Sequence, residues 1–338
     1  MNCYDKKMSF PFFSVILPTY NRSRMACTAL KTVQYQTCAD WECLVVNDGS
    51  TDDTDAVLAG FSNDPRIRIL RSEKNQGMNA SRNQAIGQAQ GRFVTFLDSD
   101  DLWLPQRLEA FRARITGSVQ AGFLFSNAYV WRFGRILGTL FDPARPIPEG
   151  VVPGHYAVGE AHLPYVTTNV AIRRDAFSQW GSFKTEMRTL DTELFTRFLA
   201  NGLPVCALRE PLSVRRLHDG QLTDRHVENF RESLLALEAS GASAELQASM
   251  RKDICREVAL YLLKAGEPLK AREFLLSELG ESARATPLFM GTLLPKPVLR
   301  LGKELRRTWL MLRHHPLLAS SEIRKISALI DPLLSAEQ

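Results

Sequence analysis

The amino-acid sequence predicts an α/β protein with a mostly parallel central sheet flanked by helices, plus a C-terminal helical extension. Short β-branched apolar runs recur through the first half, each closed by a polar loop, and segments with helical spacing separate them. That alternation builds a parallel sheet covered on both faces. From about Val227 the composition shifts to Leu, Ala, Glu, Lys and Arg in helical spacing, which marks the extension.

The first run, Phe13 to Leu17, ends at Pro18, and the second, Leu44 to Val46, ends at Asn47-Asp48-Gly49; Ile67 to Leu70 and Phe93 to Leu97 repeat the pattern. Arg22 to Gln36, a stretch opening at Thr51-Asp52-Asp53, and Asn79 to Gln88 are long enough to be crossover helices. A helix after Asp101 is expected to start at Pro105, followed by a strand from Phe123 to Tyr129. Phe141 to Tyr165 is rich in Pro and Gly without periodicity, and a loop of that length within a domain is usually functional or mobile. Patterning returns with Asn169 to Ile172, a helix from Asp191 to Leu199 that stops at Asn201-Gly202, and a strand from Val205 to Leu217. Phe230 to Leu279 reads as helical, and Gly280 ends it. Near 297–313, Val298, Leu301, Leu305, Trp309 and Leu312 fall on one face, with arginines and Lys303 largely elsewhere: a basic amphipathic helix. Packing of its apolar face on the domain and docking on anionic lipid both fit such a helix.

With 338 residues and 45% hydrophobic content, the chain can bury at least one full core. A formal charge of +5 is too small an excess to argue for nucleic acid, and no nucleic-acid partner is expected. The six cysteines form no CxxC pair and no metal-ligand spacing with His, the pattern of reduced thiols in a cytoplasmic protein. The N-terminus lacks the apolar run of a signal peptide, and no stretch offers the roughly 20 apolar residues of a spanning helix. The expected location is therefore cytoplasmic, with the basic helix as the candidate for peripheral contact with the inner face of the plasma membrane.

In open α/β sheets, ligands sit beyond the carboxyl ends of the strands. Polar clusters follow three strands here, Thr19-Tyr20-Asn21, Asp48-Gly49-Ser50 and Asp98-Ser99-Asp100-Asp101, and they would converge on one rim. Alternation along an extended segment sends Asp98 and Asp100 to the same side, where carboxylates suit Mg²⁺ or Mn²⁺ and the neutralisation of a departing diphosphate. Asp is also common in turns and N-caps, so the pair taken alone reads rather as a loop feature.

The company these residues keep is more specific. Phe13-Ser14-Val15-Ile16-Leu17-Pro18-Thr19-Tyr20-Asn21-Arg22 resembles the opening strand of family 2 glycosyltransferases, and Val46-Asn47-Asp48-Gly49-Ser50-Thr51-Asp52-Asp53-Thr54 resembles their second-strand loop. Asn75-Gln76-Gly77 through Ala80-Ser81-Arg82-Asn83, then Phe96-Leu97-Asp98-Ser99-Asp100-Asp101, resemble the next two family segments in the same order. The resemblance runs from Phe12 to His218 and implies the GT-A nucleotide-sugar transferase fold. It implies an inverting, metal-dependent transfer of a sugar from a nucleoside-diphosphate sugar to a saccharide or lipid-linked acceptor, in cell-surface polysaccharide or glycolipid biosynthesis. By position, Pro18, Thr19 and Tyr20 would line the base pocket, Asp48 would hydrogen-bond the base, Asp98 with Ser99 beside it would touch the ribose, and Asp100 would bind the metal. Asn75, Gly77 and Arg82 would border the nucleotide; Gly77 also reads as a plain turn and Arg82 as a surface ion pair.

An inverting transfer needs a general base for the acceptor hydroxyl. Asp191, in Leu190-Asp191-Thr192-Glu193-Leu194, resembles the family's acidic segment downstream of a Gly-x-Phe pattern, here Gly181-Ser182-Phe183. Many members carry Glu where this chain has Leu190, which leaves Glu193 as an alternative base and a helix cap as the structural alternative for Asp191. His218, in Arg215-Arg216-Leu217-His218, resembles the late segment where a neutral imidazole completes a metal shell. The Gln-x-x-Arg-Trp segment of processive relatives is missing, so one sugar per encounter is expected. These matches divide the chain into a transferase domain at 10–226, with a nucleotide-binding half at about 10–130 and an acceptor half at about 131–226 that includes the Pro- and Gly-rich loop, and an extension at 227–338. A catalytically inactive nucleotide-sugar-binding scaffold or membrane-assembly subunit is the competing reading, against which the intact Asp48, Asp98, Asp100 and Asp191 weigh.

Overall fold

The computed structural model describes residues 10–117, 120–132, 134–158, 163–187, 191–218, 226–293 and 320–335. Its first half alternates as expected: β1 (Phe13–Thr19), α1 (Ser23–Gln34), β2 (Trp41–Asn47), α2 (Thr54–Ala59), β3 (Ile67–Arg71), α3 (Met78–Ile86) and β4 (Phe93–Phe96). β1 lies between β2 and β4, with β3 outside β2, and all of these pairings are parallel. Phe13, Val15 and Leu17 pack on one side with Ala29, Leu30 and Val33 of α1, whereas Ile16 packs on the other with Ala85 and Ile86 of α3. With both faces covered, the strands need no polar alternation, which is why they read as unbroken apolar runs.

Buried polar exceptions include Ser14, Glu42 and Thr95; Ser14 shows how such a group is accommodated. Its hydroxyl donates to Glu42 Oε1 at 2.6 Å and accepts from the Gly91 amide at 2.8 Å, so the buried group is satisfied. Gly91 packs against the β1 backbone, and a Cβ there would lie 2.4 Å from Ser14 N and 2.6 Å from the Phe13 carbonyl carbon. Gly91→Ala is therefore expected to cost about 1–3 kcal/mol through forced displacement of β1, read as a fall in the urea midpoint without a change in slope.

The second half departs from parallel order. β8 (Val170–Arg173) runs antiparallel to β4, and β6 (Phe123–Arg132) runs antiparallel to β8. β9 (Val205–Arg216) is parallel to β6, while the short β5 (Leu102–Trp103) pairs antiparallel with β9 and β7 (Arg135–Thr139) forms a hairpin with β6. The result is one mixed nine-stranded sheet, in the order β3-β2-β1-β4-β8-β6-β9-β5 with β7 beside β6. The mostly parallel expectation thus describes β1 to β4, and β5 to β9 complete the sheet with mixed pairings.

Two local expectations are corrected. The helix expected at Pro105 begins at α4 (Arg107–Thr116), because Leu102 and Trp103 first pair with Val214 and Ser213 and the Leu104 amide donates to Leu212 O at 3.0 Å. The Pro- and Gly-rich segment is packed along 141–158. Gly150 exchanges backbone hydrogen bonds with Val205, Arg209 donates to the carbonyls of Pro143 and Arg145, and Phe141, Val152 and Ala157 are buried.

α5 (Asp175–Trp180) and α6 (Thr192–Ala200) cover the same face as α3. α6 buries Leu194, Phe195, Phe198 and Leu199, and the Phe195 ring meets Phe123 and Tyr165 edge-on at 5.2 and 5.1 Å. Beyond the sheet, α7 (His226–Glu238), α8 (Ala244–Lys264), α9 (Pro268–Leu279) and α10 (Pro287–Gly291) share a core that includes Phe230, Cys255, Leu262, Phe274 and Leu275. Ser243 caps α8 by accepting from the Leu246 amide, and Pro268 occupies the first turn of α9, where its missing N–H is harmless.

α11 (Ser320–Ser335) returns to the sheet. Ile330 is buried among Leu102, Leu104, Tyr129, Ile136 and Val214, and the Tyr129 hydroxyl donates to Glu322 Oε1 at 2.7 Å. The basic helix expected near 297–313 lies outside the described residues. Among the described residues no helix is long and apolar enough to cross a membrane.

Candidate active site

The carboxyl ends of β1, β2 and β4 form one rim, and the loops that follow them lock to each other. The Asp48 amide donates to Thr19 O at 2.9 Å, the Asn21 amide donates to Ser50 Oγ at 2.9 Å, and Asn21 Oδ1 accepts from the Thr51 amide at 2.7 Å. Asn21 holds a left-handed backbone, φ 50°, which its short polar side chain stabilises through that bond. Pro18 is paired with Val46 within the sheet, Thr19 is buried, and Tyr20 projects from the rim with 43% of its surface exposed. A flat ring standing free beside the strand end is suited to stacking on a planar ligand.

The Asp48 carboxylate is buried and accepts the amides of Gln76 and Gly77, both at 2.9 Å. It thereby shapes the Asn75-Gln76-Gly77 turn, in which Gly77 has φ 94° and stands at the N-terminus of α3. Each carboxylate oxygen keeps a further lone pair for another donor.

After β4, one oxygen from each of Asp98, Asp100 and Asp101 comes within 4.8 Å of the others. Asp100 Oδ2 accepts from Arg22 at 2.5 Å and lies 3.0 Å from His218 Nε2. Burial pushes the Asp100 carboxyl up, but the His218 hydrogen bond and the Arg22 charge together outweigh it and hold the group at about 2. Asp101 shows the opposite balance: burial, then the charges of Asp100 and Asp98, raise it well above the usual carboxylate range. Asp101 Oδ1 accepts the Arg216 amide at 2.9 Å, and Arg216 Nε donates to the Asp100 carbonyl, so the acidic loop is clasped to the strand that leads to His218. Ser99, between the acids, is buried.

This donor set fits a hard divalent cation. Three carboxylates crowded within 4.8 Å, with an imidazole beside them, match the preference of Mg²⁺ and Mn²⁺ for oxygen-rich sites. Asp101 and Arg22 were not among the expected site residues. Both stand inside the recognised segments, but no local rule says which acid of Asp98-Ser99-Asp100-Asp101 turns inward or that Arg22 reaches across to it.

Arg82 corrects one of its two expected roles, because it is 1% exposed and cannot be a surface ion pair. Its fork donates to Asp98 Oδ1 at 2.8 Å and to Asp191 Oδ1 at 2.5 Å. Asp191 stands at the N-cap of α6 but makes no side-chain capping bond there, since its carboxylate is turned to Arg82. Burial raises the Asp191 carboxyl, Arg82 opposes the rise, and the Asp98 charge adds to it, leaving a net upward shift. Glu193 is engaged differently. It is held by Arg197 Nε at 3.0 Å and Lys184 Nζ at 3.0 Å, and although burial acts to raise it, those two cations hold it below the usual value. Of the two candidate bases, Asp191 is the one whose environment favours taking up a proton.

Residues 14–130 match the family model described as Glycosyl transferase family 2. Over 132 residues the chain is 35% identical to UDP-Glc:alpha-D-GlcNAc-diphosphoundecaprenol beta-1,3-glucosyltransferase WfgD of Escherichia coli, an alignment covering 39% of this chain and 51% of that protein. The match spans 51% of that protein, 43% of the colanic acid biosynthesis glycosyl transferase WcaA of Escherichia coli (strain K12) and 18% of the glycosyltransferase RC0461 of Rickettsia conorii. Its structure is similar to S. aureus TarS 1-349 in complex with UDP, with a TM-score of 0.55 and 18% identity over 88% of this chain and 91% of that one. It is also similar to the mannosyltransferase PcManGT from Pyrobaculum calidifontis in complex with GDP-Man and Mn2+, with a TM-score of 0.53 and 16% identity over 97% and 86% of the two chains. At these identities the structural likeness establishes the fold, that of the GT-A glycosyltransferases.

Proposed function

We propose that this chain, whose residues 14–130 match the glycosyl transferase family 2 model, transfers a sugar from a nucleoside-diphosphate sugar to an acceptor hydroxyl with inversion at the anomeric carbon and with help from Mg²⁺ or Mn²⁺. The observation that carries this reading is the convergence on one rim of Asp48, the Asp98–Asp100–Asp101 cluster with His218, and the Arg82-linked Asp191. The relatives carry names of glycosyltransferases, including those of colanic acid and teichuronic acid biosynthesis, which supports a setting in cell-surface polysaccharide or glycolipid assembly. The transferase domain is taken as 10–226 and the helical extension as 227–338, with α11 from the latter buttressing β5 and the β6–β7 hairpin.

Tyr20 and the loop around Asp48 would receive the base, with Pro18 and Thr19 behind them, and Asn75 and Gly77 would border the nucleotide. Asp98 would orient the ribose. Asp100 and His218, with Asp101 adjacent, would hold the divalent cation, which supplies charge neutralisation for the diphosphate as the glycosidic bond breaks. Asp191 takes the proton of the acceptor hydroxyl as its oxygen attacks the anomeric carbon from the face opposite the diphosphate. The new C–O bond forms, the bond to the diphosphate oxygen breaks with its electron pair, and the configuration inverts.

The test is thermal stability of the purified protein with UDP, GDP, dTDP and CMP, each with and without Mn²⁺. One nucleotide, at about a hundredfold excess over its Kd, is expected to raise the midpoint by about 5 °C only when Mn²⁺ is present. Stability indifferent to all four, in well-folded protein, would remove the donor site and leave the inactive scaffold as the better reading.

The acceptor is proposed to be saccharide or lipid-linked, reached by a cytoplasmic protein through peripheral contact of the basic segment near 297–313 with anionic lipid. Because α11 packs on the sheet, truncation from Lys296 would also uncover Leu102, Tyr129 and Val214. Charge reversal is the cleaner probe. Changing Arg300, Lys303, Arg306, Arg307 and Arg313 to Glu is expected to lower binding to phosphatidylserine vesicles at least tenfold, since each basic residue near such a surface contributes about 1 kcal/mol. Unchanged co-sedimentation would assign that segment to packing.

A further inference from the structure

We propose that Arg82 is a positioning residue that couples occupancy of the nucleotide side to the placement of Asp191, an inference that rests on the transferase reading above. α3 begins at the turn that Asp48 holds through the Gln76 and Gly77 amides, so its N-terminus is fixed to the nucleotide rim. One face of the same helix presents Asn79, Arg82 and Asn83, spaced i, i+3 and i+4, to the acceptor half. Asn79 Nδ2 donates to the carbonyls of Lys184 and Met187 at 3.1 and 2.8 Å. Asn83 exchanges two hydrogen bonds with the Phe183 backbone, donating at 2.7 Å and accepting at 3.0 Å. Arg82 holds Asp191 itself. A single helix face therefore carries both ends of the segment that brings the base to the rim.

Arg82 is also the only one of the three with a second partner on the acidic loop. The guanidinium lies over the edge-to-face pair of the Phe96 and Phe183 rings, 5.7 and 5.3 Å from their centroids, so the two rings back it on one side. Asp98 is more accessible than Asp191, with 27% against 12% of its side chain exposed. A ligand that engages Asp98 from the open side draws that carboxylate toward itself and leaves the fork more fully committed to Asp191. Donor arrival would then stiffen the base before the acceptor is attacked. A lysine cannot reproduce this, because one ammonium lacks the planar fork that reaches two carboxylates at once.

Hydrogen–deuterium exchange of residues 191–199 tests the coupling, using whichever of UDP, GDP, dTDP and CMP binds the parent by calorimetry, with Mn²⁺. In the parent, nucleotide is expected to slow exchange in this segment at least fivefold. Arg82→Lys is expected to lose the slowing at saturating nucleotide, with occupancy read by calorimetry, and to lower kcat at saturating donor. Asp98→Asn provides a readout that needs no ligand: exchange in 191–199 should already be as slow without nucleotide as it is in the nucleotide-bound parent. Nucleotide binding without slowing in the parent, slowing that persists in Arg82→Lys, or parent-like basal exchange in Asp98→Asn would each overturn the coupling. A parent that binds none of the four nucleotides would instead overturn the transferase reading itself.

Discussion

Asp191→Asn is expected to lower kcat by about 10³-fold while leaving nucleotide affinity nearly unchanged, because a positioned general base contributes about 10²–10⁴-fold and acts on the acceptor rather than the donor. The amide preserves the shape of the carboxylate and can still accept from Arg82 through its oxygen, so the helix start should hold. It cannot take the acceptor proton. The burial that raises Asp191 also predicts that the parent's kcat falls on acidification at a higher pH than an ordinary carboxylate would give, since only the ionised form accepts a proton. Glu193→Gln is the informative contrast. That residue is buried and binds both Arg197 and Lys184, so its replacement should act mainly on stability, by up to about 3–5 kcal/mol for a broken buried pair. Near-parental kcat in Asp191→Asn, together with a folded but inactive Glu193→Gln, would transfer the base role to Glu193.

The second large effect is expected at Asp100. Its Oδ2 is where Arg22 and His218 meet, and it belongs to the three-carboxylate cluster. Asp100→Ala should weaken Mn²⁺-dependent nucleotide binding at least 100-fold, equivalent to about 2.7 kcal/mol. Removing the metal from the parent with EDTA should produce a loss of similar size, and EDTA should do little more to Asp100→Ala, because the two perturbations remove the same interaction. Asp100→Asn separates charge from shape, since it keeps an oxygen beside His218 but lowers the negative charge of the cluster. Calorimetry with and without EDTA reads all of these. Nucleotide affinity in the parent that is indifferent to EDTA would sink the metal assignment.

The helical extension is less independent than its composition suggests. α7 to α10 have their own core, yet Ile330 of α11 is buried against residues of β5, β6, β7 and β9. In the sequence, Ile326, Ile330 and Leu334 are placed only within the helical extension at 227–338. Which surface α11 covers depends on β5, and β5 exists only because Leu102 and Trp103 find Val214 and Ser213 more than a hundred positions later. A two-residue strand has no periodicity of its own to detect.

The sequence by itself determined the parallel half of the sheet, because strands buried on both faces must be apolar throughout and their crossover helices must be long enough to return. It also determined that Asp48, Asp98 and Asp100 share a rim, since in such a sheet every carboxyl-terminal loop opens on the same side. Only the tertiary structure decided which partners the acidic residues hold. Arg82 reads in the chain as a residue bordering the nucleotide or as a surface ion pair, and its two partners lie 16 and 109 residues away. Asp191 was legible as an acid at a helix start, but its freedom from capping, its burial and its bond to Arg82 are products of packing between the two halves. Glu193, two residues on, differs from it in ionisation through Arg197 and Lys184. Ionisation behaviour follows from the solvent and charges around a group, and these depend on contacts between segments far apart in the chain.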